Sequence, residues 1–595
     1  MSYLQTPRLT FSGRFQSDVS TVNNDPNHFN NATFQSSYQD FQDGKNANGW
    51  WNPTGTGNFR LIDLKIQSVT YLDGTSTKDP KKDPIIGMNI MDTDSRVAGK
   101  MVDLDSQQQM VSEIWGLIVR IGKGDSTYVK GDYEVAAFTN IWFNRSLDKK
   151  ADSAAAATYQ SQIKNLEWDI ENVGSRYLKE LMQTSKDSLS IQFTVDRYNG
   201  DHTSPEFTLG RMVGTIGPVF DEEPVHHIQG RQLFPSVSSV NYAMAIVDEK
   251  LSQVVLNFSN SLQFGIAPQA PIDIIDTEGK PETIATAQVG IIENANMTLA
   301  INTGTKENPN YVYLGAVNYN EPGWYEKDSG ICTFDLSKEN LELVQKNPLV
   351  ILDYSTSQTN SLGLKQSATP MLEERKNYVV ADTYVFRMNP EDTAHVKFYA
   401  TEFGKPLANK SIVVNYDTAN LLQGADNPTL GVPLSALIFT PAVKTDENGV
   451  AYMELNAADP GNPREFIDGQ LYALNYSLEG SFFVDCNPIN FISIMVFDKV
   501  AKDVIENPKW SDLQPTMQQY SNLYPIMSRG VFKLSNQEVV DKHAEILKFV
   551  FGKEVSDPNY MPVTRDLSRD KQQMILNYLE GIINDKQMNE AVAAK

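Results

Sequence analysis

Short stretches in which apolar and polar residues alternate constrain this chain most strongly, and the clearest lies in residues 3–25. Leu9, Phe11 and Phe15 alternate there with polar residues. A period of two is typical of a β-strand with one buried face. Gly13 interrupts the apolar face, which predicts a β-bulge or a close approach of two backbones. We therefore expect the chain to begin with a strand.

The rest of the chain predicts a mainly β, multi-domain fold. Short apolar segments separated by Gly, Asn and Pro continue to about residue 352, a spacing that is typical of β-sandwich-like sheets. From about residue 384 the sequence pattern resembles that of immunoglobulin-like modules of the bacterial adhesin and macroglobulin types. From about residue 499 the apolar spacing becomes that of helices. We predict a large β-rich region over 1–383 with a break near 225–240, an immunoglobulin-like β-sandwich over 384–498, and a helical C-terminal segment over 499–595.

One helix is predicted inside the β-rich region, over residues 151–186. Ile163, Ile170 and Leu181 belong to an apolar stripe with three- and four-residue spacing. The four alanines at 154–157 add high helix propensity. The prediction is therefore an inserted helix near 154–185.

Charge and composition bear on the partners and the location of the protein. The 595 residues include 74 acidic and 51 basic ones, a net charge of −23. This balance disfavours nucleic acid and anionic membranes as partners, since both require basic patches. Cys332 and Cys486 are the only cysteines, and two free buried thiols fit a reducing compartment. With no signal peptide or transmembrane segment in the sequence, we predict a cytoplasmic protein and leave signal-less export open.

Two acidic pairs are the candidate metal ligands. They are Asp92 with Asp94 and Asp103 with Asp105. In a strand, Asp-x-Asp places both carboxylates on one face, where they can hold a hard cation such as calcium. Such pairs are also common in turns, so a structural role is the alternative for all four.

A second candidate site is an aromatic pair in a long polar segment. Trp50 and Trp51 lie in residues 27–58, whose composition suits a surface loop. They either pack onto a sheet or face a ligand or partner.

Five blocks of the chain together resemble one family. It comprises the bacterial enzymes that oxidatively dimerise aromatic amino-acid imines in violacein and indolocarbazole biosynthesis, namely iminophenyl-pyruvate dimer synthase and chromopyrrolate synthase. The blocks occur in a consistent order and include YLQTPRLTFSGRFQSDVSTVNND and NYMPVTRDLSRDKQQMILNYL. They cover residues 3–25, 102–118, 211–217, 233–264 and 523–579.

The resemblance also implies a missing part. In the violacein-pathway relative a ferritin-like helical domain follows the part matched by residues 560–579, whereas this chain ends at Lys595. Paired Glu-x-x-His motifs on helices, expected of a ferritin-like di-iron unit, are absent from the sequence. Haem or iron is implied only by the resemblance, and no residue here is assigned to either.

Two functions follow as hypotheses, and the sequence leaves open whether the chain is catalytic. The first is an accessory scaffold subunit for natural-product biosynthesis that acts with a separate ferritin-like partner. Its docking residues on the C-terminal segment would be Tyr524, Met527, Tyr560, Met561 and Arg565. The alternative is a non-enzymatic binding or structural assembly protein built from β-sandwich modules, such as a homo-oligomer. No catalytic residue is assigned, and a self-contained haem oxidoreductase ranks below both.

Overall fold

The structure, a computed structural model, describes most of the chain. The described residues are 2–18, 26–39, 52, 55–93, 98–107, 111–142, 156–185, 187–220, 222–237, 240–262, 272–275, 281–284, 297–319, 321–354, 368–417, 421, 429–481, 491–524 and 530–593. They form three β-rich modules and a helical module, and the predicted mainly β fold with a helical C-terminal segment is confirmed.

The first module is a twelve-stranded antiparallel sheet with one helix. Its elements are β1 (Arg8–Asp18), β2 (Asn58–Thr70), β3 (Ser76–Thr77), β4 (Asn89–Met91), β5 (Gly99–Asp103), β6 (Ser112–Trp115), β7 (Ile118–Lys123), β8 (Ser126–Tyr133), β9 (Ala136–Trp142), β10 (Ala156–Trp168), α1 (Arg176–Thr184), β11 (Leu189–Asp196) and β12 (Leu209–Pro218). Because β1 pairs with both β12 and β2, the sheet closes on itself around one large apolar core.

Strand β1 confirms the prediction from its alternation. Leu9, Phe11 and Phe15 are all buried in the core of the first module. The pairing of β1 with β2 shifts register on either side of Gly13, as a bulge requires. A Cβ atom at Gly13 would lie 2.5 Å from the carbonyl oxygen of Asp63, so the predicted close backbone approach is also present.

The predicted helix over 151–186 is wrong for its first half. Residues Ala156–Trp168 form strand β10, and only Arg176–Thr184 is helical. Strand β10 pairs with β11 on one side and with β8 and β9 on the other, and these backbone hydrogen bonds outweigh the local helix propensity of alanine. Ile163 points into the core, while the Thr158 hydroxyl hydrogen-bonds into the second module.

The second module is an eight-stranded antiparallel sheet with two short helices and a separate strand pair. Its elements are β13 (Arg231–Pro235), β14 (Ala243–Asp248), β15 (Gln253–Asn257), β16 (Ile272–Ile275), β17 (Pro281–Ile284), β18 (Met297–Asn302), β19 (Tyr311–Ala316), α2 (Trp324–Asp328), β20 (Ile331–Asp335), α3 (Lys338–Val344), β21 (Leu349–Asp353) and β22 (Thr369–Glu374). The pair β16–β17 stands apart from the main sheet. Cys332 is a free buried cysteine on β20, and Cys486 lies outside the described residues.

The third module is a sandwich of two five-stranded sheets that share one core. Its strands are β23 (Asn377–Ala381), β24 (Val385–Met388), β25 (Thr393–Glu402), β26 (Lys405–Pro406), β27 (Ser411–Tyr416), β28 (Leu437–Phe439), β29 (Ala442–Lys444), β30 (Val450–Ala457), β31 (Gln470–Leu478) and β32 (Phe491–Val496). Strands β24 and β32 are parallel, and the other pairs are antiparallel. This module is a β-sandwich, and its first strand, β23, begins at Asn377, before the predicted boundary at residue 384.

In the helical module, five helices among the described residues pack around a separate core. They are α4 (Lys502–Glu506), α5 (Trp510–Leu523), α6 (Gln537–Lys542), α7 (Ala544–Phe551) and α8 (Arg569–Ala593). In the part of the chain that the structure describes, no helix is both long and apolar enough to cross a membrane. Short 3-10 turns occur at Ser2–Leu4, Pro26–Phe29, Ser36–Gln39 and Leu434–Ala436.

Arginines tie the modules to one another. Three of them form ion pairs with carboxylates of a neighbouring module: Arg211 with Glu326, Arg387 with Glu113, and Arg464 with Asp105. The pair of Arg464 and Asp105 is buried on both sides, and such a pair is costly to break because removal of one partner leaves an uncompensated charge. These pairs therefore fix the relative positions of the modules that they join.

Candidate functional site

The first predicted acidic pair is only half described. Asp92 accepts a hydrogen bond from Arg60 Nε at 3.0 Å and one from the backbone N–H of Leu61 at 3.3 Å. Asp94 lies outside the described residues. The carboxylate of Asp92 thus already has a positively charged partner within the chain.

The second predicted acidic pair is divided between two internal contacts. Asp103 accepts a hydrogen bond from the hydroxyl of Ser112. Asp105 forms a bidentate pair with Arg464, with both nitrogen–oxygen distances at 2.9 Å. Among the residues that the structure describes, no group of three or more His, Cys, Asp or Glu side chains is placed to hold a metal ion. The guanidinium of Arg464 therefore supplies the positive charge beside Asp105, at the place where the sequence predicted a metal ion.

The predicted aromatic pair cannot be placed. Trp50 and Trp51 both lie outside the described residues, as does the predicted docking residue Met527. Their assigned roles stay predictions.

Two predicted docking residues are buried. The side chains of Tyr560 and Arg565 are 3% and 1% exposed. The Arg565 guanidinium lies 5.6 Å from the centroid of the Trp115 ring, and Arg387 lies 5.5 Å from that ring. Burial lowers the pKa of Arg565 to about 10, with a further contribution from the nearby Arg387. Neither side chain is therefore exposed to a partner, and Arg565 packs against Trp115 of the first module.

The other two described docking residues, Tyr524 and Met561, line an apolar groove. The groove has a cavity volume of about 210 Å³ and lies between α5, α7 and the segment that precedes α8. Other lining residues are Phe532, Ile546, Val550 and Phe551. An apolar cavity of about 150 Å³ binds benzene, so this groove has room for one large apolar side chain.

The surface beside the groove is also apolar. Ile546 and Phe549 on α7 are 50% and 64% exposed, and Val531 is 64% exposed. Helix α7 is too short and too apolar to bury all its large side chains on one face, and this excess is visible in its sequence, AEILKFVF. That signal could have identified Ile546 and Phe549, which the sequence predictions missed.

Charges of both signs lie near the groove, among them the exposed Lys533 between the lining residues Phe532 and Leu534. Lys548 and Lys553 are paired with Glu580 and Asp557. Glu545, which adjoins Ile546, is exposed and has no ion pair among the described residues. The groove thus has an apolar floor, with an uncompensated carboxylate beside it.

Two adjacent histidines occupy the junction between the first and third modules. His226 is part of the single Glu-x-x-His spacing in the chain, which begins at Glu223, and neither residue lies in a helix. The two ring nitrogens of His226 each lie 2.9 Å from a backbone carbonyl oxygen, those of Asp382 and Val135. Burial, with a smaller contribution from the neighbouring His226, lowers the pKa of His227 to about 3. His227 is therefore neutral at physiological pH.

Comparison with known proteins gives no family assignment. No family model matches the chain, and no curated protein matches it. Among solved structures, domains 4 and 5 of the S-layer protein SbsC align over 40% of this chain and 95% of their own, with 7% identity and a TM-score of 0.14. The D00-D0 domain of Intimin aligns over 39% and 99%, with 10% identity and a TM-score of 0.14. The CupB6 tip adhesin from Pseudomonas aeruginosa aligns over 44% and 91%, with 8% identity and a TM-score of 0.13. Likeness at these scores identifies neither a shared fold nor a function.

Proposed function

We propose that this protein is a binding scaffold of β-rich modules that docks the helix of a partner protein in its apolar groove. The observation that carries the proposal is the groove beside Tyr524 and Met561, with the exposed side chains of Ile546 and Phe549 next to it. Recognition of an amphipathic helix by a hydrophobic groove uses apolar anchors at positions i, i+3, i+4 and i+7. One anchor would fill the cavity, and its neighbours would cover the exposed apolar side chains.

Charge favours a basic partner over a second copy of the chain. Each copy of the chain carries a net charge of −23, so two copies repel each other overall. Beside the groove, Lys548 and Lys553 are paired, whereas neither Glu545 nor Lys533 forms an ion pair among the described residues. A helix with lysine or arginine on its flanks would complement this surface and associate faster at low salt.

The ferritin-like partner implied by the family resemblance stays a prediction. A helical protein of that kind is one class that could present an amphipathic helix to the groove. The proposal itself requires only the apolar stripe and the basic flanks.

A designed peptide tests the proposal directly. The probe is a fluorescein-labelled 18-residue helix of about one-third Leu and two-thirds Lys, with the leucines on a single face. Its fluorescence anisotropy is titrated with the full-length chain. We expect saturable binding, and we expect Ile546→Asn to weaken it at least ~10-fold because a polar side chain replaces an exposed anchor surface.

Matched controls separate groove binding from general attraction to an acidic protein. Val592→Asn places the same side chain at a site on α8 that is 73% exposed, and it should leave the affinity unchanged. A peptide of identical composition with scattered leucines should bind at least ~10-fold more weakly. Equal affinity for both peptides would refute the proposal. So would a wild-type dimer in light scattering that Ile546→Asn converts to a monomer, because the groove would then be a self-interface.

A further inference from the structure

A second cavity lies between the first and second modules and is polar. Its volume is about 490 Å³, within the range of small-molecule sites. Strands β1, β2 and β3 form one wall, and α2 and β20 form the other. Hydroxyl side chains are frequent in the lining, among them Ser68, Ser76 and Thr333.

Arg8 is the buried cation of this cavity. It is 6% exposed, its Nη1 donates to the carbonyl oxygen of Leu4 at 3.0 Å, and its Nη2 donates to Oγ1 of Thr333 at 2.9 Å. A guanidinium has five N–H groups, so three have no acceptor among the described residues. Burial lowers the pKa of Arg8 to about 10, and Asp248 partly opposes this effect. Asp248 accepts two backbone hydrogen bonds in its own turn and forms no ion pair with Arg8.

The other charges of the cavity do not neutralise Arg8. Lys78 is paired with Asp328 at 2.7 Å, so these two side chains compensate each other. Glu321 also lines the cavity but is exposed to solvent. Arg8 is thus a buried positive charge with spare donors and no carboxylate bonded to it among the described residues. Buried charges are costly unless they are paired.

We propose that this cavity binds a small oxyanion, a carboxylate or a phosphate group, through the guanidinium of Arg8. The planar donor geometry of arginine matches both kinds of group and permits two parallel hydrogen bonds. The surrounding hydroxyls suit a ligand that is rich in oxygen. The site lies in a different part of the chain from the apolar groove and does not depend on the docking proposal.

Titration of the full-length chain with inorganic phosphate and with succinate tests this site. Both are compared with chloride at equal ionic strength, by isothermal calorimetry and by thermal denaturation. At about 10 mM, a bound oxyanion should raise the midpoint by roughly 2 °C. A response to phosphate alone would indicate that the site selects a tetrahedral anion, and a response to succinate alone would indicate that it selects a carboxylate. A response to both would indicate an unselective oxyanion site.

Two variants locate the binding. Arg8→Met removes the cation, and Ser76→Asp places a negative charge at the cavity from an exposed position on β3. Each should weaken binding at least ~10-fold. Ser481→Asp adds the same charge at an exposed position in the third module and should have no effect. If Arg8→Met fails to fold, Ser76→Asp decides the question. No response to either anion, or a response that Ser76→Asp leaves unchanged, would overturn the proposal.

Discussion

The ion pair between Arg464 and Asp105 gives the sharpest test of how the modules are held together. Both side chains are buried, with exposures of 0% and 6%. Arg464 also donates to Gln107 Oε1 and to the backbone carbonyl oxygens of Asp468 and Gly469. Replacement by Met would leave the Asp105 carboxylate buried without a counter-charge. Breaking a buried pair in this way costs about 3–5 kcal/mol.

Hydrogen exchange is the appropriate measurement, because a chain of 595 residues with several modules does not unfold in two states. Strand β31 follows directly after Gly469, so its amides report the local stability of the third module. A loss of 3–5 kcal/mol corresponds to exchange that is about 10²- to 10⁴-fold faster. The double variant Arg464→Met with Asp105→Leu should recover much of this loss, because no unpaired charge remains.

The same experiment addresses the predicted cation site at Asp105. Calcium should not change exchange in the wild-type chain, because Arg464 binds both oxygens of this carboxylate. Two results would refute the reasoning. One is an Arg464→Met variant whose β31 amides exchange at the wild-type rate. The other is calcium-dependent protection that Asp105→Asn abolishes.

Four further predictions concern single residues. Gly13→Ala should destabilise the first module locally by about 1–3 kcal/mol, seen as faster hydrogen exchange of the β1 amides, since its Cβ would collide with the Asp63 carbonyl. Gly581→Ala, which meets nothing within 4 Å on α8, should stabilise by about 1 kcal/mol. The pKa of His227 is near 3 when folded and about 6.5 when unfolded, so stability should fall by about 1.4 kcal/mol from pH 7.5 to 5.5, and His227→Gln should reduce that slope. Burial raises the pKa of Cys332 to about 12, so mass spectrometry should find it unalkylated by iodoacetamide at pH 8 until the chain unfolds.

Local pattern was sufficient to predict the strand at the beginning of the chain. Leu9, Phe11 and Phe15 share one buried face, and Gly13 lies where the backbones of β1 and β2 approach closely. The buried face follows from the two-residue period of a strand, and the close approach follows from the missing side chain of glycine. Both can be predicted from a few adjacent residues.

Strand β10 shows where local pattern fails. Its alanines favour a helix, but pairing with β8, β9 and β11 holds the segment extended. The apolar spacing was correct only for α1, where Tyr177, Leu178 and Leu181 face the core. Pairing between segments that are distant in sequence cannot be derived from the propensity of either segment.

The candidate sites were predicted only in part, for the same reason. Tyr524 and Met561 reach the same groove from different segments, and their docking role stays a prediction. The polar cavity was not foreseen, because it joins Arg8 to Thr333 across 325 positions of sequence. The sequence around Asp105 predicts a metal-ion ligand, because its ion-pair partner Arg464 is 359 residues away in the chain.

The pairing of β1 with two strands also has a consequence for the synthesis of this protein on the ribosome. Its second neighbour, β12, ends at Pro218, about 200 residues after β1 ends at Asp18. At about 5–20 residues per second, a ribosome needs roughly 10–40 s to supply that neighbour. Throughout this interval one edge of β1 exposes unpaired backbone groups, which invite pairing with other nascent chains. The first module therefore depends on protection of this edge during translation, and slow decoding between β2 and β12 should raise the fraction of chains that aggregate.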